Sequence, residues 1–268
     1  MGNGLIDYLA QRSLESECFA QTRSVGAAAA PGNSVTKGTA MKIYDREGTP
    51  NAARIRIVLA EKGLEDQVEY HSVDLMTAQQ KQPAFLAMNP IGKIPVLMLD
   101  DGTVLSESTA ITEYLDHLDG KPTLTGKTPR EKGLIHMMQR RVEMMVLEPI
   151  DDYFHYGTPG LGKALRPWRM PDWDGAKEWG QRRGAQAVQN MPYFNDILAK
   201  QLFVAGDAFS LADISLWAAL AFADAIGLPI ASGLTALVAW RSKVSDLPAV
   251  KNRSGQHPLP EDIARLGG

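Results

Sequence analysis

Residues 89–108 read NPIGKIPVLMLDDGTVLSES, and no other stretch of the chain restricts its fold as tightly. Asn89-Pro90 followed by Gly92 breaks any preceding helix and lets the backbone reverse. Pro95 then introduces Val96, Leu97, Met98 and Leu99, an apolar run of strand length. Asp100-Asp101-Gly102 is a hairpin turn, since Gly takes positive φ at no steric cost, and the chain returns as a second strand through Thr103 and Leu105. Ser106-Glu107-Ser108 begins a helix, whose free N–H groups and dipole bind anions. The Glu107 carboxylate can pair with an ammonium there, so this helix tip describes a receptor for an α-amino acid end. A cis Ile94-Pro95 bond would turn the Ile94 N–H and C=O outward to meet an extended peptide, although cis is the minority isomer of X-Pro bonds.

The flanking segments supply the rest of a first domain, at residues 41–119. Lys42 to Tyr44 form a short strand that runs into the loop before Pro50. Residues 51–62 carry Ile55, Val58 and Leu59 at helical spacing and stop at Gly63, a C-terminal cap. Residues 68–75 read as a second strand and residues 79–88 as a short irregular helix. With the hairpin and a helix over residues 107–118, striped by Ile111, Tyr114, Leu115 and Leu118, the order is βαβ-α-ββα. That is a thioredoxin-like α/β arrangement, with a right-handed crossover in its first unit.

Residues 119–127 read as a linker, and the chain then turns wholly helical over residues 128–260. Thr128-Pro129-Arg130-Glu131 is a capping box with proline at the first helical position. The helix it starts is expected to reach about Tyr156, kinked at Pro149. A second long helix covers about residues 175–201, bent by Pro192. Ser210 and Asp213 repeat the capping pattern before Leu216, Trp217 and Leu220, which read as core. Residues 234–244 and 248–253 close this all-α domain. Residues 1–40 carry little pattern and a Gly/Ala/Ser-rich stretch, which reads as a disordered or appended extension, with Met41 a plausible start.

Composition narrows the function classes. A formal charge of -3 on 268 residues offers no electrostatic reason for nucleic-acid binding. No apolar run approaches the roughly 20 residues that span a bilayer. The only cysteine, Cys18, excludes an internal disulfide and places no thiol near the hairpin. A cytoplasmic setting is consistent with this. His71, His117, His136 and His257 have no metal-ligand spacing, so no metal is expected.

The pattern N-P-x-G-x-[IV]-P, followed by a hairpin and by Glu107-Ser108-Thr109-Ala110-Ile111, resembles the glutathione-binding half of the cytosolic glutathione transferases. Gly206-Asp207-Ala208-Phe209-Ser210-Leu211-Ala212-Asp213 resembles a folding element in their helical half. The resemblance extends over about residues 41–253. It implies a homodimer that needs no cofactor, with glutathione as co-substrate attacking electrophilic, largely apolar small molecules. By the same resemblance, Glu107 and Ser108 take the γ-glutamyl end, the Ile94 backbone pairs with the cysteinyl unit, and Lys93 meets the glycyl carboxylate. Gln80 stands where many relatives have a His and can still donate a neutral hydrogen bond to that carboxylate.

The sulfur site departs from the common pattern. Relatives hold the thiolate with a Tyr, Ser or Cys near the first strand or helix; here the Ser or Cys position falls on Thr49, a candidate that also reads as a loop residue at the helix entry, and the Tyr position at about Asp45, one residue from a Tyr44 that reads as core. In this the chain is similar to a yeast-type branch that lacks the usual sulfur partner. The N–H groups at a helix start still favour an anion, and a water can bridge sulfur to a base. Asp151 and His155, one helical turn apart, share a face and form a candidate base; packing with a capping His is the alternative. Met144, Tyr153, Tyr156 and Trp217 are candidates to floor an apolar acceptor pocket, or are simply core. Two other readings of the whole stay open: a glutathione-binding protein without turnover, and a glutathione-dependent dehalogenase or ether-cleaving enzyme.

Overall fold

A computed structural model describes residues 41–162, 164–165 and 173–251. The extension over residues 1–40, Cys18, Arg253 and His257 lie outside the described residues. The chain begins there with β1 (Met41–Asp45), crosses through α1 (Pro50–Glu61) and returns as β2 (Val68–Ser72). β2 lies parallel to β1, with Ile43 opposite Tyr70, a pairing that requires such a crossover. The hairpin supplies β3 (Val96–Met98) and β4 (Val104–Ser106), both antiparallel to their neighbours, giving the order β2-β1-β3-β4.

Most of the local expectations hold. α1 buries Ile55, Val58 and Leu59, and Gly63 follows it at φ 63°. The expected helix over residues 79–88 is instead split, with a 3₁₀ turn at Gln79–Lys81 and then α2 (Pro83–Met88). Pro83 has no N–H to continue a helix but suits the first position of a new one. β4 leads into α3 (Ser108–His117).

At the end of α3 the buried Asp116 carboxylate organises the linker. It accepts hydrogen bonds from the Thr123, Leu124 and Thr125 N–H groups at 3.0, 2.9 and 2.9 Å and from Thr125 Oγ1 at 2.8 Å, and pairs with Lys62 Nζ at 3.3 Å. Burial alone would raise this carboxyl, yet the hydrogen bonds together outweigh it and hold it below its ordinary 3.8. A depressed folded value means that its stabilisation is fully present above about pH 4 and is lost as the pH falls through that value. Asp116→Ala is therefore expected to cost about 2–4 kcal/mol at neutral pH in denaturant unfolding. The gap to the unsubstituted chain is expected to narrow below pH 4; a gap independent of pH would contradict the assignment.

The helical half opens with α4 (Pro129–Val142), whose capping box forms as the sequence implies: Thr128 Oγ1 accepts from the Glu131 N–H at 3.2 Å, and Glu131 Oε2 accepts from the Thr128 N–H at 3.0 Å. Helical backbone then continues through a π segment (Glu143–Leu147), α5 (Glu148–Asp152) and a second π segment (Tyr153–Gly157). The wider π turn accommodates Pro149, which cannot donate to the carbonyl of Met145. That carbonyl accepts from Asn190 Nδ2 at 2.8 Å instead, which explains how helical geometry persists through the proline.

Among the described residues three further α-helices follow, α6 (Ala176–Leu198), α7 (Leu211–Ala225) and α8 (Thr235–Ser245). α7 is buried on all sides from Leu211 to Ala223 and forms the centre of this half. Asp213 caps it and also accepts from the Val204 N–H at 2.8 Å and from Trp240 Nε1 at 3.0 Å. Trp217 is only 2% exposed and donates to Ser245 Oγ at 2.9 Å. It belongs to the core and is corrected from the list of pocket residues: a side chain on a helix surrounded by protein has no open face to offer. No helix among the described residues is long and apolar enough to cross a membrane.

Candidate active site

The helix tip at the end of β4 has a strained backbone. Glu107 adopts φ 69° and ψ 118°, outside the conformations that side-chain-bearing residues prefer, and its exposed side chain stands at the N-terminus of α3. Such strain costs about 1–3 kcal/mol and persists only where neighbours over-determine it. Ser108 beside it is buried. Both line a cavity of about 360 Å³ together with Asn51, Arg54, Thr109, His136, Gln139, Arg140 and Glu143. Carboxylates and guanidinium groups thus face a common space beside free helix N–H groups, which suits a zwitterion.

The loop before β3 presents the other expected residues. The Ile94-Pro95 bond is cis and Ile94 is half-buried. Lys93 is exposed, its carbonyl held by Asn89 Nδ2 at 2.8 Å. Gln80 is 5% exposed, with a buried Oε1 that has no hydrogen-bond partner among the described residues. Gly92 at φ 61° packs so tightly that a Cβ there would lie 2.8 Å from the Gln80 carbonyl. The turn and Gln80 are thereby locked together.

Around the sulfur position the structure makes one correction. Thr49 Oγ1 donates to the Arg46 carbonyl at 2.9 Å, so its hydrogen is already committed and not offered to a thiolate. Thr49 instead stands at the start of α1, followed by Pro50, and its side chain does not cap the first-turn N–H groups. Tyr44 stacks on His71 at 4.8 Å between ring centres.

Asp151 and His155 do meet, with Oδ1 and Nε2 3.4 Å apart. His155 lines a second cavity of about 360 Å³ with Tyr156, Thr158, Pro159, Trp173 and the start of α6, distinct from the one at Glu107. Tyr156 packs against Trp173 and Trp179 at 5.4 and 5.3 Å. Tyr153 is half-buried, its ring facing Gly184, where a Cβ would lie 2.7 Å from Tyr153 Cδ2. Met144 is 48% exposed. Just beyond His155, Leu161 packs against both the main core and the smaller core of Val73, Leu75, Phe85 and Val96, on which Ile94 also packs. This brings the end of the long helix over the hairpin. Among the described residues no group of three or more His, Cys, Asp or Glu side chains could hold a metal.

Arg54 and its partners were missed from the sequence. Arg54 is 2% exposed; its Nη1 donates to Asn51 Oδ1 at 3.0 Å, and its Nη2 to Thr109 Oγ1 and Glu143 Oε1 at 3.2 and 3.1 Å. Burial pushes this guanidinium down, and the carboxylates of Glu143 and then Glu107 oppose it. A signal was present: a charged residue inside the run Ala52 to Leu59, on the side of α1 that faces the core.

Comparison with known proteins gives a consistent result. The family described as glutathione S-transferase, N-terminal domain, matches residues 49–118, and the corresponding C-terminal domain family matches residues 177–250. The chain is 47% identical over 211 residues to glutathione S-transferase 2 of Saccharomyces cerevisiae, covering 79% of this chain and 88% of that protein. The crystal structure of Gtt2 from Saccharomyces cerevisiae superposes with a TM-score of 0.74 at 46% identity, over 78% of this chain and 98% of that one. A glutathione S-transferase domain-containing protein from Marinobacter aquaeolei gives a TM-score of 0.74 at 42% identity, over 78% and 100% of the two chains.

Proposed function

Because the chain belongs to the glutathione S-transferase family, we propose that it joins glutathione to electrophilic, largely apolar small molecules, with the residues around Glu107 as the anchor. The cavity where the strained Glu107 meets the tip of α3 carries this reading. Glu107 takes the γ-glutamyl ammonium and the N–H groups at Ser108 its carboxylate. Ile94 pairs with the cysteinyl backbone, while Lys93 and Gln80 serve the glycyl carboxylate. Glutathione is a co-substrate, and no resident cofactor takes part.

A free thiol has a pKa of about 8.5, and lowering it by one unit requires about 1.4 kcal/mol of preference for the thiolate. The first-turn N–H groups of α1 supply part of this. His155, oriented by Asp151, takes the proton through a bridging water. The sulfur then forms a bond to the electrophilic carbon, and the leaving group, such as a halide, departs with the bonding electrons. Tyr153, Tyr156 and the exposed Met144 offer the apolar surface for that partner. The exposed Leu134 and Met137, three apart on α4, support a homodimer, and the setting is cytoplasmic.

Conjugation of a chloronitrobenzene, measured beside glutathione affinity, tests the whole reading. His155→Ala is expected to lower kcat about a hundredfold with glutathione affinity unchanged, and to alter the pH dependence of the rate. An unaltered pH–rate curve would remove His155 from the reaction. The commitment of the Thr49 hydroxyl to Arg46 favours one second reading, a glutathione binder without turnover. Tight binding with no rate above background would establish it.

A further inference from the structure

We propose that Arg54 is a positioning residue, through which the helical half of the molecule holds Glu107 in its ligand-ready conformation. The inference rests on the assignment of Glu107 to the glutathione ammonium. Glu107 makes no side-chain cap bond of its own to offset the strain of φ 69°. The residues after it must be anchored. Ser108 is buried, and Thr109 is fastened on its far side: its hydroxyl receives Arg54 Nη2 at 3.2 Å and faces Glu143 Oε1 at 3.3 Å.

Glu143 belongs to the first π segment of the long helix, where its Oε1 also accepts from Gln139 Nε2 at 2.9 Å. Arg54, on α1, is therefore the node joining three elements: its own helix through Asn51, the tip of α3 through Thr109, and the helical half through Glu143. A planar guanidinium with several fixed donors suits this task, and a flexible ammonium does not. Its Nε is buried without a hydrogen-bond partner among the described residues. In this arrangement the guanidinium fixes the backbone from which Glu107 projects.

The test compares the affinity of the full chain for glutathione with that for N-glutaryl-cysteinyl-glycine, the same tripeptide without its amino group, by calorimetry. The unsubstituted protein is expected to prefer glutathione by about tenfold or more, because only glutathione offers Glu107 a cation. In Arg54→Met that preference is expected to fall below about threefold, since a Glu107 released from its conformation no longer meets the ammonium. A folded Arg54→Met protein that keeps the full preference overturns the inference. So does an equal loss of affinity for both tripeptides, which is what a merely structural role would produce. If Arg54→Met does not fold, Thr109→Val is read by the same criteria, because it cuts the link to the helix tip and leaves the Arg54–Glu143 pair in place. Failure of the unsubstituted protein to bind either tripeptide would instead overturn the glutathione assignment, and this inference with it.

Discussion

Glu107→Ala is expected to raise the dissociation constant for glutathione by one to two orders of magnitude, measured by calorimetry or by retention on immobilised glutathione. A hydrogen bond between charged groups contributes about 1.5–3 kcal/mol, which is that range in affinity. The effect on the fold is expected to be small, because the side chain is exposed. Glu107→Gly sharpens the contrast. Glycine tolerates φ 69°, so the variant sheds strain of about 1–3 kcal/mol against about 0.5–1 kcal/mol of added freedom in the unfolded chain. It is expected to melt no lower than the unsubstituted protein while binding glutathione as poorly as Glu107→Ala. A residue selected for packing would show the reverse order, with stability lost and binding kept.

Asp213→Ala acts on the fold alone and is expected to cost about 3–5 kcal/mol in denaturant unfolding, enough to leave much of the chain unfolded at 37 °C. Its carboxylate is fully buried and accepts from the Val204 N–H, the Ser210 N–H and Oγ, and Trp240 Nε1. Alanine would strand those donors in the interior. Burial pushes the carboxyl up to about 6 in spite of its four donors. A carboxyl raised above its unfolded 3.8 keeps its proton in the folded chain over a range where the unfolded chain has released it. Its own titration therefore favours folding most below about pH 4, and that contribution declines as the pH rises to about 6 and stays level above. Asp213→Asn is expected to abolish this decline; denaturant midpoints between pH 4 and 7 read it directly. Asp116, with its value depressed, is expected to behave with the opposite sign, so the two variants control for one another.

How much could be read in advance follows from how local each cause is. The hairpin over residues 89–108 was legible because proline, glycine and paired aspartates dictate their own backbone, whatever surrounds them. The capping boxes at Thr128 and Ser210 were legible for the same reason: donor and acceptor lie three residues apart. Helix faces such as Ile55, Val58 and Leu59 showed in their spacing. The long helix running through Pro149 to about Tyr156 was legible too, but how it survives the proline was not, since that depends on Asn190 reaching the Met145 carbonyl from another helix. Trp217 could be read as wall or as core, and burial on every side of α7 settled it as core.

The sequence alone thus determined the two-part architecture and the Glu-Ser helix tip, because short-range sterics and apolar periodicity act within a few residues. Only the tertiary structure decided that Thr49 spends its hydrogen on Arg46, that His155 and Glu107 face separate cavities, and that Arg54 joins α1, α3 and the long helix. The physical reason is that hydrogen bonds and ion pairs depend on direction and distances of a few ångströms. For residues far apart in the chain, those are set by how the helices pack and not by the order of the letters.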